Sequence, residues 1–157
     1  MKHFNAAYHR GLTIQAAPGL IFRWLCQMRI APYSYDWIDN FGRQSPRTLI
    51  PRLDELTIGQ RFMGIFELVD FECDRHLTIR MRPNTTASRV FGDLVVSYLI
   101  VPQSVVSCRL LVKLVVRYPR GPVGWFMRVF LPWGDLMMMR RQLLNFKILS
   151  EQRPNGL

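Results

Sequence analysis

The chain has 157 residues, 49% of them hydrophobic and 12% aromatic, a composition that excludes disorder and suits one domain spanning 1–157 with a core of its own. Its formal charge is +10 and 18 of its 21 basic residues are arginine, so anions are its natural counterparts: phosphate, anionic lipid headgroups, acidic ligands. The arginines are scattered, with no run of five basics and no basic–aromatic interleaving, which argues against specific nucleic-acid recognition.

Tyr8 to Ala16 alternates, with Leu12 and Ile14 on one side and Thr13 and Gln15 on the other, which predicts a strand. Pro18 suits a first helical turn. Ile21, Trp24, Leu25 and Met28 then fall at i, i+3, i+4 and i+7, one apolar stripe of a helix that ends at Ala31-Pro32. A short second helix is predicted over Tyr35 to Phe41, with Ser34 or Asp36 capping its start and Gly42 its end. Ser45 to Leu56, with Pro46 and Pro51, reads as a loop that wraps over something.

From Ile58 the pattern changes to strands. Arg61 to Phe71 makes one or two of them, with Gly64 as a bend. His76 to Met81 alternates, and Pro83-Asn84-Thr85-Thr86 reads as a turn. Val90 to Val101 is predicted as a long strand, turned at Pro102-Gln103-Ser104. Val105 to Tyr118 pairs back, with Val106, Cys108, Leu110, Val112, Leu114 and Val116 on one face. A final helix begins near Pro122 and is expected to kink or reset at Pro132-Trp133-Gly134. Beyond it Leu136, Met139, Leu143 and Phe146 form one apolar stripe, and Met137, Leu144 and Ile148 a second. A helix apolar on two sides is expected to be wrapped.

The segment Val123 to Met139 approaches spanning length, but Arg128, Asp135 and Pro132 interrupt it, so it reads as a buried helix with anionic membrane contact as a minor role. Met1 to Arg10 has no apolar h-region, so no signal peptide is expected. Cys26, Cys73 and Cys108 form no CxxC pair, have no zinc spacing and read as small buried hydrophobes in a reducing, cytoplasmic compartment. No nucleophile elbow, Walker loop, dinucleotide-binding glycine pattern or zinc signature occurs, so no cofactor or metal is expected.

The order strand, two helices, antiparallel strands, long helix describes an α+β protein. Read with its residues, it resembles the START/SRPBCC superfamily, the helix-grip or birch-pollen-allergen-like proteins, and within it a bacterial polyketide cyclase/dehydrase-like group. The carrying residues are Ala17-Pro18 opening a helix that reaches Trp24-Leu25-Cys26-Gln27-Met28, then Tyr33-Ser34-Tyr35-Asp36-Trp37. Ile58-Gly59-Gln60-Arg61 and Met139-Arg140-Arg141-Gln142-Leu143-Leu144-Asn145-Phe146-Lys147 complete the set, and the likeness runs from about Tyr8 to Gln152. It implies a curved sheet of about six or seven strands gripping the C-terminal helix, with two short helices after the first strand, and a deep apolar cavity between sheet and helix. It also implies a hydrophobic ligand (lipid, sterol or polyketide), carried in some members and cyclised or dehydrated in others. It supplies no universal catalytic residue.

The segment from Tyr33 to Arg43 packs four aromatics and two carboxylates into eleven residues. Tyr33, Tyr35 and Trp37 suit a cavity entrance, their polar tips meeting a ligand's oxygens, against the plainer reading of a helix packed on the sheet. Trp133, Met137 and Met139 suit the cavity wall, and Arg140 either reaches an anionic headgroup or pairs with Asp135 or Glu151. Asp36 and Asp39 share a helical face, as an acid–base pair or as N-terminal helix charges. Glu67 is predicted on the strand face opposite Asp70, Glu72 and Asp74; pointing inward it becomes a candidate base. Catalysis, if present, falls first to Glu67, Asp36, Tyr33 and Tyr35. His3, His9 and His76 lack a motif, and the ligand-binding reading stands ahead of the enzymatic one.

Overall fold

The computed structural model describes residues 6–31, 33 and 43–152. A six-stranded antiparallel sheet runs β1-β6-β5-β4-β3-β2 in spatial order. Its strands are β1 (Ala6–Ile14), β2 (Arg61–Phe62), β3 (Phe66–Glu72), β4 (His76–Met81), β5 (Asp93–Ser104) and β6 (Ser107–Arg117). The helices are α1 (Pro18–Cys26), continued by a 3-10 turn over Gln27–Arg29, α2 (Thr86–Phe91) and α3 (Pro122–Glu151). This is the helix-grip architecture anticipated above. The predicted helix over 35–41 lies outside the described residues.

Alternation along the central strands decides which side becomes core. The β5–β6 hairpin sets Val96 against Leu114, Tyr98 against Val112 and Ile100 against Leu110. All six are buried, as are Leu77, Ile79 and Met81 of β4. From α1 the predicted stripe Ile21, Trp24, Leu25 and Met28 is buried on the same core. The loop after it is fixed by polar contacts. Gln27 receives the Ile50 N–H on its Oε1 at 2.5 Å and donates to the Thr48 carbonyl. Arg29 donates to the Leu53 and Glu55 carbonyls. The loop therefore wraps over the end of α1.

Four local readings are corrected. First, Val90 and Phe91 belong to α2, not to a strand. Thr85 accepts from the Ser88 N–H and Ser88 Oγ accepts from the Thr85 N–H, a reciprocal cap that outweighs the strand preference of Val90. Gly92, at φ 80°, ends the helix, and a Cβ there would overlap the Arg117 carbonyl oxygen. Second, β5 continues through Pro102 to Ser104, so the hairpin turns at Val105 and Val106, and Val106 is exposed rather than core. Third, α3 is one helix across Pro132 and does not reset there. Fourth, Cys73 is exposed; only Cys26 and Cys108 are buried, and burial raises both of their thiol pKa values.

One face of α3 is buried. Gly124, Asp135, Gln142, Leu143, Phe146, Leu149 and Ser150 face inward, with Met127, Leu131 and Met139 packed beside them. The helix approaches β1 most closely and rests on α1 and α2. At its start Gly124 lies against the Pro119 carbonyl, where a Cβ would overlap the oxygen. At its end Glu151 accepts from the Gln15 N–H at 2.8 Å and from Lys147 Nζ at 2.6 Å, the i, i+4 pair anticipated from spacing. The second stripe, Met137, Leu144 and Ile148, is exposed, so the helix is gripped on one side only.

The two faces of α3 predict different responses to truncation. Phe146→Ala should cost about 3–5 kcal/mol of stability. Ile148→Ala should stay within about 0.5 kcal/mol. Chemical denaturation of both variants measures the difference.

Candidate functional site

The inward face of β1 carries Tyr8 and Arg10 before Leu12 and Ile14. Arg10 pairs in register with buried Val112 of β6, so a guanidinium enters an otherwise apolar row. It meets Asp135, which α3 places on its buried side: Nη2 donates to Oδ2 at 3.4 Å, with side-chain exposures of 25% and 5%. A single long contact compensates a buried charge poorly. Burial accordingly pushes the Asp135 carboxyl up to about 6, against the lowering influence of Arg10. Arg10 Nη1 also donates to the His9 carbonyl, while its Nε is buried without a partner.

Two buried tyrosines, Tyr118 and Tyr98, lie within reach of this carboxylate's charge. Tyr8 and Tyr118 join hydroxyl to hydroxyl at 2.7 Å, and the Arg128 guanidinium stands 5.7 Å from the centre of the Tyr118 ring. Tyr98 donates to Gln142 Oε1 at 2.7 Å, and Gln142 Nε2 donates to Met28 Sδ at 3.6 Å. Burial is the largest cause raising the pKa of both Tyr98 and Tyr118, and the Asp135 charge adds to it. Both phenols therefore stay protonated hydrogen-bonding groups near neutral pH. Among the described residues the interior thus holds one carboxyl raised to about 6, one guanidinium and the protonated hydroxyls of Tyr98 and Tyr118, framed by Leu, Val and Ile side chains.

A pocket of about 420 Å³ opens where α2 meets the ends of β4, β5 and β6. Arg80, Ser88, Arg89, Asp93, Arg117, Tyr118 and Pro119 are among its walls. Arg80 and Asp93 form a two-point ion pair there at 2.9 and 2.6 Å. Tyr118 belongs to this pocket and, through Tyr8, to the buried polar groups. The Gly92 and Gly124 approaches described above shape the same region, since both press on the segment from Arg117 to Pro119.

The residues expected to form a site are distributed differently. Tyr33 is not at an entrance. It is buried at φ 56°, accepts from Gln27 Nε2 at 2.6 Å and donates to the Pro46 carbonyl at 2.7 Å. Its ring meets Trp24 and Phe146, and its carbonyl accepts from Asn145 at 2.8 Å. It joins α1, the loop and α3. Tyr35, Asp36, Trp37 and Asp39 lie outside the described residues.

Glu67 points away from the interior. It pairs in register with Arg80, on the side of the sheet shared by Asp70 and Glu72, because a bulge between Leu68 and Asp70 inserts one residue and resets the alternation. Asp70 meets His76 Nε2 at 3.0 Å and Glu72 meets Arg75 at 3.3 Å. Trp133 and Met137 are 70% and 61% exposed, and Arg140 is exposed beside them, so these three do not line the interior. Neither expected partner pairs with Arg140: Asp135 is held by Arg10 and Glu151 by Lys147. Met139 alone of that set packs on the core. Sequence reasoning named neither Arg10 nor Asp135 as a site residue, and offered Asp135 only as a partner for Arg140. The signal available was an arginine two residues before the Leu12–Ile14 row, and an aspartate one helical turn before Met139.

Among the described residues no group of three or more His, Cys, Asp or Glu is placed to hold a metal ion, and no helix is long and apolar enough to cross a membrane. No protein-family model matches the chain, and no curated protein does. Solved structures share its fold. The Zhui aromatase/cyclase from Streptomyces sp. R1128 superposes with a TM-score of 0.61 at 13% identity, over 97% of this chain and 99% of that one. A START superfamily protein from Mycobacterium smegmatis gives 0.57 at 15% identity, over 93% and 97%. Norcoclaurine synthase from Thalictrum flavum gives 0.53 at 12% identity, over 94% and 87%. The chain has the helix-grip fold of the START and polyketide cyclase-like proteins.

The Asp135 shift has a defined effect on stability. The carboxyl titrates near 3.8 when unfolded and near 6 when folded, so between these values the native state holds more protons. Stability should therefore fall as pH rises from about 4 to about 6, by about 2–3 kcal/mol, and stay level above. Thermal melts across that window should show the fall in the wild-type chain, and Asp135→Asn should lack it.

Proposed function

We propose that this chain binds a largely hydrophobic small molecule, of lipid, sterol or polyketide type, between the sheet and α3. Tyr118 and its pocket form the approach. Arg10, Asp135 and Tyr98 meet the ligand's polar end, and Met139 contributes to the apolar wall. The carrying observation is the Arg10–Asp135 pair set among apolar side chains, with Tyr118, on which the Asp135 charge acts, lining a pocket of about 420 Å³. Volumes of roughly 300–1,000 Å³ suit small ligands, and a few convergent polar groups in an apolar site set their orientation. Apolar burial would supply most of the affinity, at roughly 25 cal/mol per Å². The shared fold with a START superfamily protein and an aromatase/cyclase supports this reading.

One observation favours a second reading, an enzyme of the cyclase or dehydratase kind. A carboxyl raised to about 6 is poised to exchange a proton near neutral pH, and the protonated phenols of Tyr98 and Tyr118 can stabilise negative charge developing on a carbonyl oxygen. Asp135 would take the proton from a carbon next to a substrate carbonyl and return it to a departing hydroxyl.

Native mass spectrometry against fatty acids, sterols and aromatic polyketides should show a one-to-one complex. Arg10→Met should weaken it by about three- to tenfold for ligands with a polar end. No complex with any of the three classes overturns the first reading. Turnover of a poly-β-ketone substrate should rise across pH 6 and lose that inflection in Asp135→Asn; turnover indifferent to that substitution removes the second.

A further inference from the structure

The side of α3 turned away from the sheet is apolar and uncovered. Phe126, Val129, Phe130, Trp133, Leu136 and Met137 recur at three- and four-residue spacing, and all six are exposed. Trp125 extends the band at the start of the helix with 69% exposure, and the Phe126 and Phe130 rings stack at 4.3 Å. A contiguous band of large apolar side chains on a surface marks a contact face. Its chemistry selects the occupant. The helix has two acidic residues; Asp135 faces the interior and Glu151 sits at the far end, paired with Lys147. Cations accompany the band, with Arg120 before the helix and Arg128 and Arg140 along it, all exposed.

We propose that this face docks on an anionic lipid bilayer, with α3 lying in the plane of the interface. Tryptophan and phenylalanine beside arginine is the composition that settles at the boundary of headgroups and acyl chains. The arginines match anionic headgroups, and the formal charge of +10 draws the whole chain toward them. The same charge opposes a second copy as the occupant, since two such faces would bring like charges together. The helix does not cross the bilayer: among the described residues no helix is long and apolar enough to do so. Helix α2 rests against α3 and exposes Val90 and Phe91 as well.

This surface is separate from the interior reading, and its test uses the full chain without added ligand. Sedimentation with phosphatidylcholine vesicles should leave the protein in solution, and vesicles containing phosphatidylglycerol should carry it down. Binding should fall at least about tenfold between about 50 and 500 mM salt. Tryptophan emission should shift to shorter wavelength on binding. The double variant Trp125→Glu, Trp133→Glu should lower binding at least about tenfold with an unchanged melting temperature, because both side chains are exposed. No binding to either vesicle overturns the proposal, as does binding indifferent to phosphatidylglycerol or to the tryptophans. Light scattering that shows a dimer dissolved by the same double substitution also overturns it, since the occupant is then a second copy.

Discussion

A sheet whose inner face is apolar across three strands has to be covered, and here α1 and the thirty-residue α3 cover it together. That requirement fixes much else. It holds the inward row of α3 to residues that fit against β1 and α1, and it brings Phe146 against Tyr33, and Tyr33 against Trp24. It also requires a close approach where the chain leaves β6 and enters the helix. Only a glycine at 124 allows the backbone so near the Pro119 carbonyl. The pocket at that end is a consequence of how the cover is hinged to the sheet.

The same covering traps charge. Asp135 sits on the inward row of α3 and cannot reach bulk water, while Arg10 on the edge strand reaches it with one long contact. The balance between burial and attraction falls on the side of burial, and the carboxyl is left near the middle of the physiological range. An apolar replacement of such a pair is often neutral or stabilising in other proteins, so a buried pair is weak evidence for stability and better evidence for a site. Arg80 and Asp93 form the contrasting case: two short contacts at a partly exposed position, where water already screens both charges.

The outer side of α3 follows from the opposite circumstance. The sheet has one inner face to offer, and a helix apolar on two sides can give it only one of them. The remaining band, with Trp125 and Trp133 at its most exposed points, stays on the surface beside arginines. The interior and the outer band are thus two consequences of one helix.

The sequence by itself determined the strand character of most of the sheet, the first and last helices, the buried stripe of α1 and the Lys147–Glu151 pair, because those follow from periods of 2 and 3.6 and from local spacing. It missed α2, where a reciprocal Thr85–Ser88 cap competes with strand-forming residues. It misplaced Glu67, because a bulge between Leu68 and Asp70 changes the phase of alternation without any marker in the sequence. Tyr33 looked like an entrance residue for its composition, whereas its partners at Gln27, Pro46 and Asn145 come from three separate parts of the chain. The remainder was a tertiary decision. Which apolar stripe of α3 turns inward, and that Arg10 meets Asp135 across 125 residues, depends on how the helix lies over the sheet, and periodicity carries no information about that.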